Sequence, residues 1–330
     1  MTVHLTRVKA RLSIHAHRRV HALLEGEYAA LHGGRSMDFT DLREYVRGDD
    51  VKDIDWKASA RSRSLLVKRY AALRQHTILL AVSTGRSMAA MNDVAVAKRD
   101  LAVTTAGLFG YLAVRHGDLV TLAYGDVDEC HLRPPARGEL ALERHLAAMY
   151  DATTPGSAPS DLSSLLEYVV RTVRRRTIML VVADVLEVDD RLAAALRRLR
   201  VQHEVLLVTV GDLDPTSVDL SSAPVRDELP DGLSEELSHE GDDDPDLELE
   251  GGSVGLPWLV DVDSRQPLPA WVASDPELRR QYADVLTAEA TALAHSLDRL
   301  GIVHAHVDDD AAAITTVFEL LETHRHARRG

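Results

Sequence analysis

Apolar residues are distributed along the chain in two alternating patterns. Unbroken runs at 77–82 (TILLAV), 119–124, 177–183 (TIMLVVA) and 204–210 predict buried strands, and 302–307 adds a last one. A shorter segment, 129–132, predicts a brief edge strand, and 258–262 another short one. Between these runs, apolar residues recur at helical spacing. Residues 93–116 place Val94, Ala97, Leu101, Leu108 and Leu112 on one face, with Gly117 as the stop. Further helices are predicted over 138–150, 189–200 and 311–326. Another opens at Ser160 and buries Leu162, Leu165, Leu166, Val169 and Val173. Ser274-Asp275-Pro276-Glu277 reads as a capping box with proline in the first turn. The helix it starts carries Leu278, Tyr282, Leu286, Leu293, Leu297 and Leu300 and ends at Gly301. Strands that are apolar throughout and alternate with helices predict an α/β fold: a doubly wound, mostly parallel sheet covered on both faces.

This pattern begins only at residue 77. Before it, 5–31 predicts a helix through Leu5, Val8, Leu12, Val20, Leu23 and Leu24, broken at Gly33–Gly34. His17 and His21 are spaced i, i+4 on that helix, but no neighbouring acids or thiols complete a metal site, so they read as surface histidines. The expected organisation is an N-terminal segment, 1–76, followed by an α/β domain, 77–330, with an acidic insertion at about 213–271.

Composition narrows the function classes. A chain of 330 residues, 45% hydrophobic and 27% charged, is globular, and with 4% aromatics its core is built from Leu, Val and Ala. Cys130 is the only cysteine, which excludes an internal disulfide and a multi-thiol zinc site. The N-terminus lacks the apolar core of a signal peptide, and the longest apolar run, 101–114, is too short to span a bilayer. A cytoplasmic protein without a membrane span is expected. Net charge is −14, unevenly spread. Residues 1–76 hold 15 Lys and Arg against 9 Asp and Glu, whereas 227–250 hold 12 Asp and Glu and no Lys or Arg. The basic part is diffuse and interrupted by acids, so no nucleic-acid partner is expected. No phosphate-cradling loop of Walker type occurs, so the chain is not expected to hydrolyse ATP itself.

Two constellations carry chemistry. The first is 39–70, FTDLREYVRGDDVKDIDWKASARSRSLLVKRY. Gly48 suits a tight turn, Asp55 and Arg61 suit a buried ion pair, and Trp56 suits a packing anchor. An alternative gives Asp49, Asp50, Asp53 and Asp55 a metal for hydrolysis, with Asp53 and Asp55 on one strand face. The second constellation lies at strand ends, where sheets of this kind bind ligands. Ser83, Gly85 and Ser87 follow the first strand of the domain, Ser160 sits at a helix start, and Asp184 follows TIMLVVA.

The strand-end group resembles the metal-ion-dependent adhesion site of von Willebrand factor A domains, where an Asp-x-Ser-x-Ser loop, a Thr and an Asp converge. Here Ser83 stands at the Asp position, Gly85 at the first Ser, Ser160 at the Thr, and Ser87 and Asp184 match. One carboxylate with a few hydroxyls predicts at best weak magnesium binding, at Ser83, Ser87 and Asp184, and no other cofactor. The stretch at 39–70 resembles the signature of the bacterial domain of unknown function 58 family. The matching positions are Asp38-Phe39, Arg43, Tyr45, Gly48-Asp49-Asp50, Ile54-Asp55-Trp56, Ser59-Ala60-Arg61 and Leu66-Val67-Lys68, with Asp53 inside the same run. The resemblance implies a von Willebrand A-like domain behind the signature. It also implies a MoxR-type AAA+ ATPase as partner, with a non-catalytic role in assembly or maturation of other proteins.

Overall fold

The computed structural model describes residues 3–15, 28, 39–46, 49, 54–62, 64–70, 76–91, 96–184, 188–216, 259–268, 271–272 and 275–327. Its strands are β1 (Phe39–Glu44), β2 (Leu66–Tyr70), β3 (Thr77–Ser83), β4 (Leu119–Gly125), β5 (Cys130–Ala136), β6 (Ile178–Ala183), β7 (Glu204–Val210), β8 (Leu259–Val260), β9 (Pro267–Leu268) and β10 (Val303–Val307). Six of them form one sheet in the order β10-β7-β6-β3-β4-β5. All its pairings are parallel except β4 with β5. The loop from Gly125 to Cys130 is too short for the crossover that parallel pairing requires, so this edge turns back as a hairpin. The edge strand is also longer than the segment expected at 129–132.

Alternation along the strands divides the core between the two faces. Ile78, Leu80 and Val82 of β3 face the helices Lys98–Arg115, Glu139–Ala152 and Asp310–Ala327. Leu79 and Ala81 face Leu162–Thr172 and Asp190–Gln202. The Lys98–Arg115 helix is buried on nearly all sides, from Leu101 to Ala113, rather than on the single face its sequence suggested. A helix packs over it. Val3–His15 sinks Leu5, Val8 and Leu12 into the same core, so the start of the chain is part of the α/β unit. His17 and His21 lie outside the described residues.

Helix ends depart from expectation in instructive ways. The helix expected to open at Ser160 is capped by Asp161, whose carboxylate accepts from Ser164 N at 2.9 Å. The long helix Pro276–Leu300 is capped by Asp275, not Ser274, through Glu277 N and Leu278 N. Its apolar stripe is only half-buried, with Leu297 its one buried residue; Leu293, Leu297 and Leu300 near its C-terminus pack on the core, and Arg279 near its start donates to Thr216 O at 3.0 Å. Gly301 ends it at φ +62°, a left-handed position. Within the stretch expected to be an insertion, β8 and β9 form a small antiparallel hairpin. The acidic block, 227–250, lies outside the described residues.

The first turn of Val3–His15 has no acidic residue of its own. Glu143, from a helix 138 residues away in sequence, supplies the cap, accepting from His4 N at 3.0 Å and Leu5 N at 2.7 Å. It is buried, 6% exposed, so its loss would leave desolvated N–H groups without acceptors. Glu143→Ala is expected to lower unfolding free energy by about 2 kcal/mol, read from urea titration. Lys9→Ala, which removes the exposed Lys9–Glu139 pair, should change it by less than about 1 kcal/mol.

Two buried imidazoles are held neutral. His145 Nε2 meets Val120 O at 3.1 Å, and His203 Nδ1 accepts from Thr177 N at 3.2 Å. Burial pushes both rings below the ordinary histidine range. With the folded value depressed, the unfolded chain takes up protons first as pH falls. Their stabilising contribution is therefore complete above about pH 6.5 and declines below it. Urea midpoints compared across that range should fall on acidification, with a shallower slope in His145→Gln.

Candidate functional site

The sheet order reverses at β3, which has β4 on one side and β6 on the other. The carboxyl ends of these strands therefore open a crevice, the usual ligand position in such a sheet. Of the residues expected there, Ser87, Ser160 and Asp184 converge. Ser87 Oγ and Ser160 Oγ are 2.6 Å apart, and Ser87 also hydrogen-bonds the Asp184 carboxylate. A carboxylate only accepts, so Ser87 donates to Asp184 and Ser160 donates to Ser87. Ser83 ends β3, and its Oγ is buried without a hydrogen-bond partner among the described residues.

Gly85 is there for space. A Cβ on it would lie 2.4 Å from Ser160 N and 2.5 Å from Ser160 Cα. The two crest loops touch backbone to backbone at this point, and Arg86 N bonds Ala158 O at 3.0 Å beside it. A serine at position 85, as a full adhesion loop would have, could not fit.

Lys98, the first residue of the Lys98–Arg115 helix, completes the group. Its side chain is 2% exposed. Its Nζ lies 2.9 Å from Asp184 Oδ1 and 2.6 Å from Asp212 Oδ1, beyond the end of β7. Burial pushes the Asp184 carboxyl above the usual carboxylate range, and the Lys98 ammonium pulls against that shift. A divalent cation needs hard oxygen donors that have no other cation to satisfy. Here both carboxylates already bind an ammonium, and no group of three or more His, Cys, Asp or Glu among the described residues is placed to hold a metal. The donor set does not fit a metal ion.

Beside the crest lies an open hollow of about 400 Å³ lined by Thr84, Tyr124, Asp126, Asp128, Glu129 and His131, among others. Asp126 Oδ1 ties its rim by accepting from Asp128 N and Glu129 N, each at 3.0 Å. His131 stacks on Tyr124, ring centroids 5.1 Å apart. Arg86, on the opposite loop, pairs with Asp263 of the β8–β9 turn at 3.2 Å, bringing that hairpin to the crest.

The 39–70 stretch folds as its own ribbon. β1 and β2 pair with each other and not with the main sheet. Ile54 bridges Val67, and both are buried. Arg43 grips Asp49 with two bonds, 2.7 and 2.6 Å, and Val46 N adds a third at 2.9 Å. The Arg43 guanidinium and the Val46 N–H hold the Asp49 carboxyl below its usual range. Asp55 caps the short Trp56–Ser59 helix through Lys57 N and Ala58 N. The expected buried pair of Asp55 with Arg61 is not what forms: Asp55 is half-buried at a helix cap and Arg61 is exposed. Trp56 is 62% exposed and is no packing anchor. Asp55 sits at a helix start, so it shares no strand face with a second acid. Tyr45 donates its N–H to Leu65 O. Gly48, Asp50 and Asp53 lie outside the described residues.

The sequence profile described as protein of unknown function DUF58 matches residues 41–227, from the ribbon through β7. The chain belongs to the DUF58 family. Uncharacterized protein Rv1480 of Mycobacterium tuberculosis and uncharacterized protein Mb1516 of Mycobacterium bovis are each 28% identical to it over 213 residues, or 63% of this chain. The chain spans 65% of the length of these curated relatives. Among solved structures it is similar to an aerotolerance-related membrane protein from Bacteroides fragilis, at 12% identity and TM-score 0.40, covering 75% of this chain and 99% of that one. It is also similar to a von Willebrand factor type A protein from Catenulispora acidiphila, at 13% identity and TM-score 0.31, covering 46% of this chain and 35% of that one. No helix among the described residues is long and apolar enough to cross a membrane.

Lys98 and Asp212 of this DUF58 chain are the site residues that sequence reading missed. One signal was present. A lysine in the first turn of a helix opposes the helix dipole, so a buried one there needs acidic partners. Gly85→Ala is expected to push the crest loops apart and to cost about 1–3 kcal/mol of stability, measured by urea or thermal unfolding. Gly156→Ala, where a Cβ would meet only Thr154 Oγ1 at 3.8 Å, is the matched control and should be near neutral.

Proposed function

We propose that this protein is a non-catalytic interaction or scaffold protein that acts with a MoxR-type AAA+ ATPase in the assembly or maturation of other proteins. Its docking surface is the carboxyl end of the sheet. The observation that carries this reading is the contrast between the crest and the hollow beside it. At the crest, Ser160, Ser87, Asp184, Lys98 and Asp212 bond one another. Groups bonded in this way hold the strand-end loops in one shape. Asp126, Asp128 and Glu129 line the hollow, and Glu129 is largely exposed. An acidic, concave rim suits a basic segment of a partner protein and speeds its encounter. An ATP-driven partner places the complex in the cytoplasm, where a chain with one thiol is at home. The alternative, a metal-dependent hydrolase using Asp49, Asp50, Asp53 and Asp55, has less support, since Asp49 is gripped by Arg43 and Asp55 caps a helix.

A tagged pull-down from the native host, with and without ATP, tests the reading. An AAA+ ATPase should co-purify with the wild type, and Asp128→Lys with Glu129→Lys should reduce its recovery severalfold while leaving the fold intact by circular dichroism. Recovery of no ATPase under any nucleotide condition would sink the assignment.

A further inference from the structure

We infer that the Lys98 ammonium is a built-in cation that stands where a divalent metal would otherwise sit, making the crest metal-independent. The inference holds whether or not an ATPase docks there. Four observations converge on it. The ammonium lies between two carboxylates from different strand ends, Asp184 after β6 and Asp212 after β7. It is almost wholly enclosed, at 2% side-chain exposure. The Ser160–Ser87 hydroxyl pair runs into the same Asp184 carboxylate, so one of the two acids that hold the ammonium is itself fixed by the crest loops. Finally, Lys98 begins its helix, the end at which the dipole disfavours a cation, so the acids rather than the helix hold it there.

The substitution has a chemical consequence. Two carboxylates with a divalent ion would be neutral and would present a cation outward. Two carboxylates with one ammonium keep a net negative charge. What faces solvent is Asp212, half-exposed, while the cation is sealed beneath it. The crest therefore offers a partner an acceptor rather than a Lewis acid, in keeping with the acidic hollow alongside.

Manganese is the probe. Purified full-length wild type should leave the electron paramagnetic resonance signal of aqueous Mn²⁺ unchanged. Lys98→Ala removes the ammonium and leaves Asp184 and Asp212 facing one space. This variant should quench the signal with one ion per chain and gain thermal stability on adding Mn²⁺, and Lys98→Ala/Asp184→Asn should lose both effects. A folded Lys98→Ala that leaves Mn²⁺ free would overturn the inference. So would a wild type that binds Mn²⁺ and releases it on Asp184→Asn. Should Lys98→Ala fail to fold, the wild type decides by ¹⁵N-lysine NMR. A slowly exchanging ammonium resonance at neutral pH, unchanged by EDTA and shifted or lost in Asp212→Asn, is expected. Rapid exchange of every lysine ammonium would count against a sealed cation.

Discussion

A buried ammonium fixes three separate parts of this protein at one point. Lys98 starts the helix that forms the middle of one face of the core, and Asp184 and Asp212 end two adjacent parallel strands. Enclosing the Lys98 and Asp184 charges is costly, and the cost is recovered only if every partner is in place. That requirement sets the start of the helix and the paths of the chain leaving β6 and β7. It also determines the crest, because Ser87, bonded to Ser160 of the neighbouring loop, bonds to the same carboxylate. Such a network contributes geometry more than net stability.

Around this point the fold uses long-range contacts where short-range ones fall short. The Val3–His15 helix has no acid of its own in its first turn and takes Glu143 from another helix as its cap. The crest loops approach so closely that only glycine fits at position 85. The signature segment, by contrast, is held by local bonds. Its ribbon closes through the Arg43–Asp49 fork and the Ile54–Val67 bridge. Two-stranded ribbons are marginal by themselves, and these cross-links give the segment a defined shape. They also leave Trp56 open to solvent.

The apolar runs determined the sheet. A strand buried on both faces must be apolar throughout, so β3, β4, β6, β7 and β10 were legible to within a residue or two, as were most of the helices between them, although the one expected from residue 93 starts at Lys98. The identities of Ser87, Ser160 and Asp184 as a group were legible too, because strand-end loops in this architecture converge. Local sequence could not say which of two adjacent polar residues caps a helix. Asp161 rather than Ser160 and Asp275 rather than Ser274 were chosen by backbone geometry at the turn.

Only the tertiary structure decided what the site is. Lys98 and Asp212 are 114 positions apart in the chain and meet because parallel strand order brings their ends together. No spacing rule encodes that meeting. Residue type within the 39–70 stretch suggested a buried ion pair of Asp55 and Arg61 with Trp56 as packing anchor. The folded ribbon spends Asp55 on a helix cap and leaves the other two outside, since a short turn buries too little area to enclose them. Sequence by itself determined the layers and the strand ends, because burial is written in hydrophobic period. Which charges meet there depends on three-dimensional neighbours.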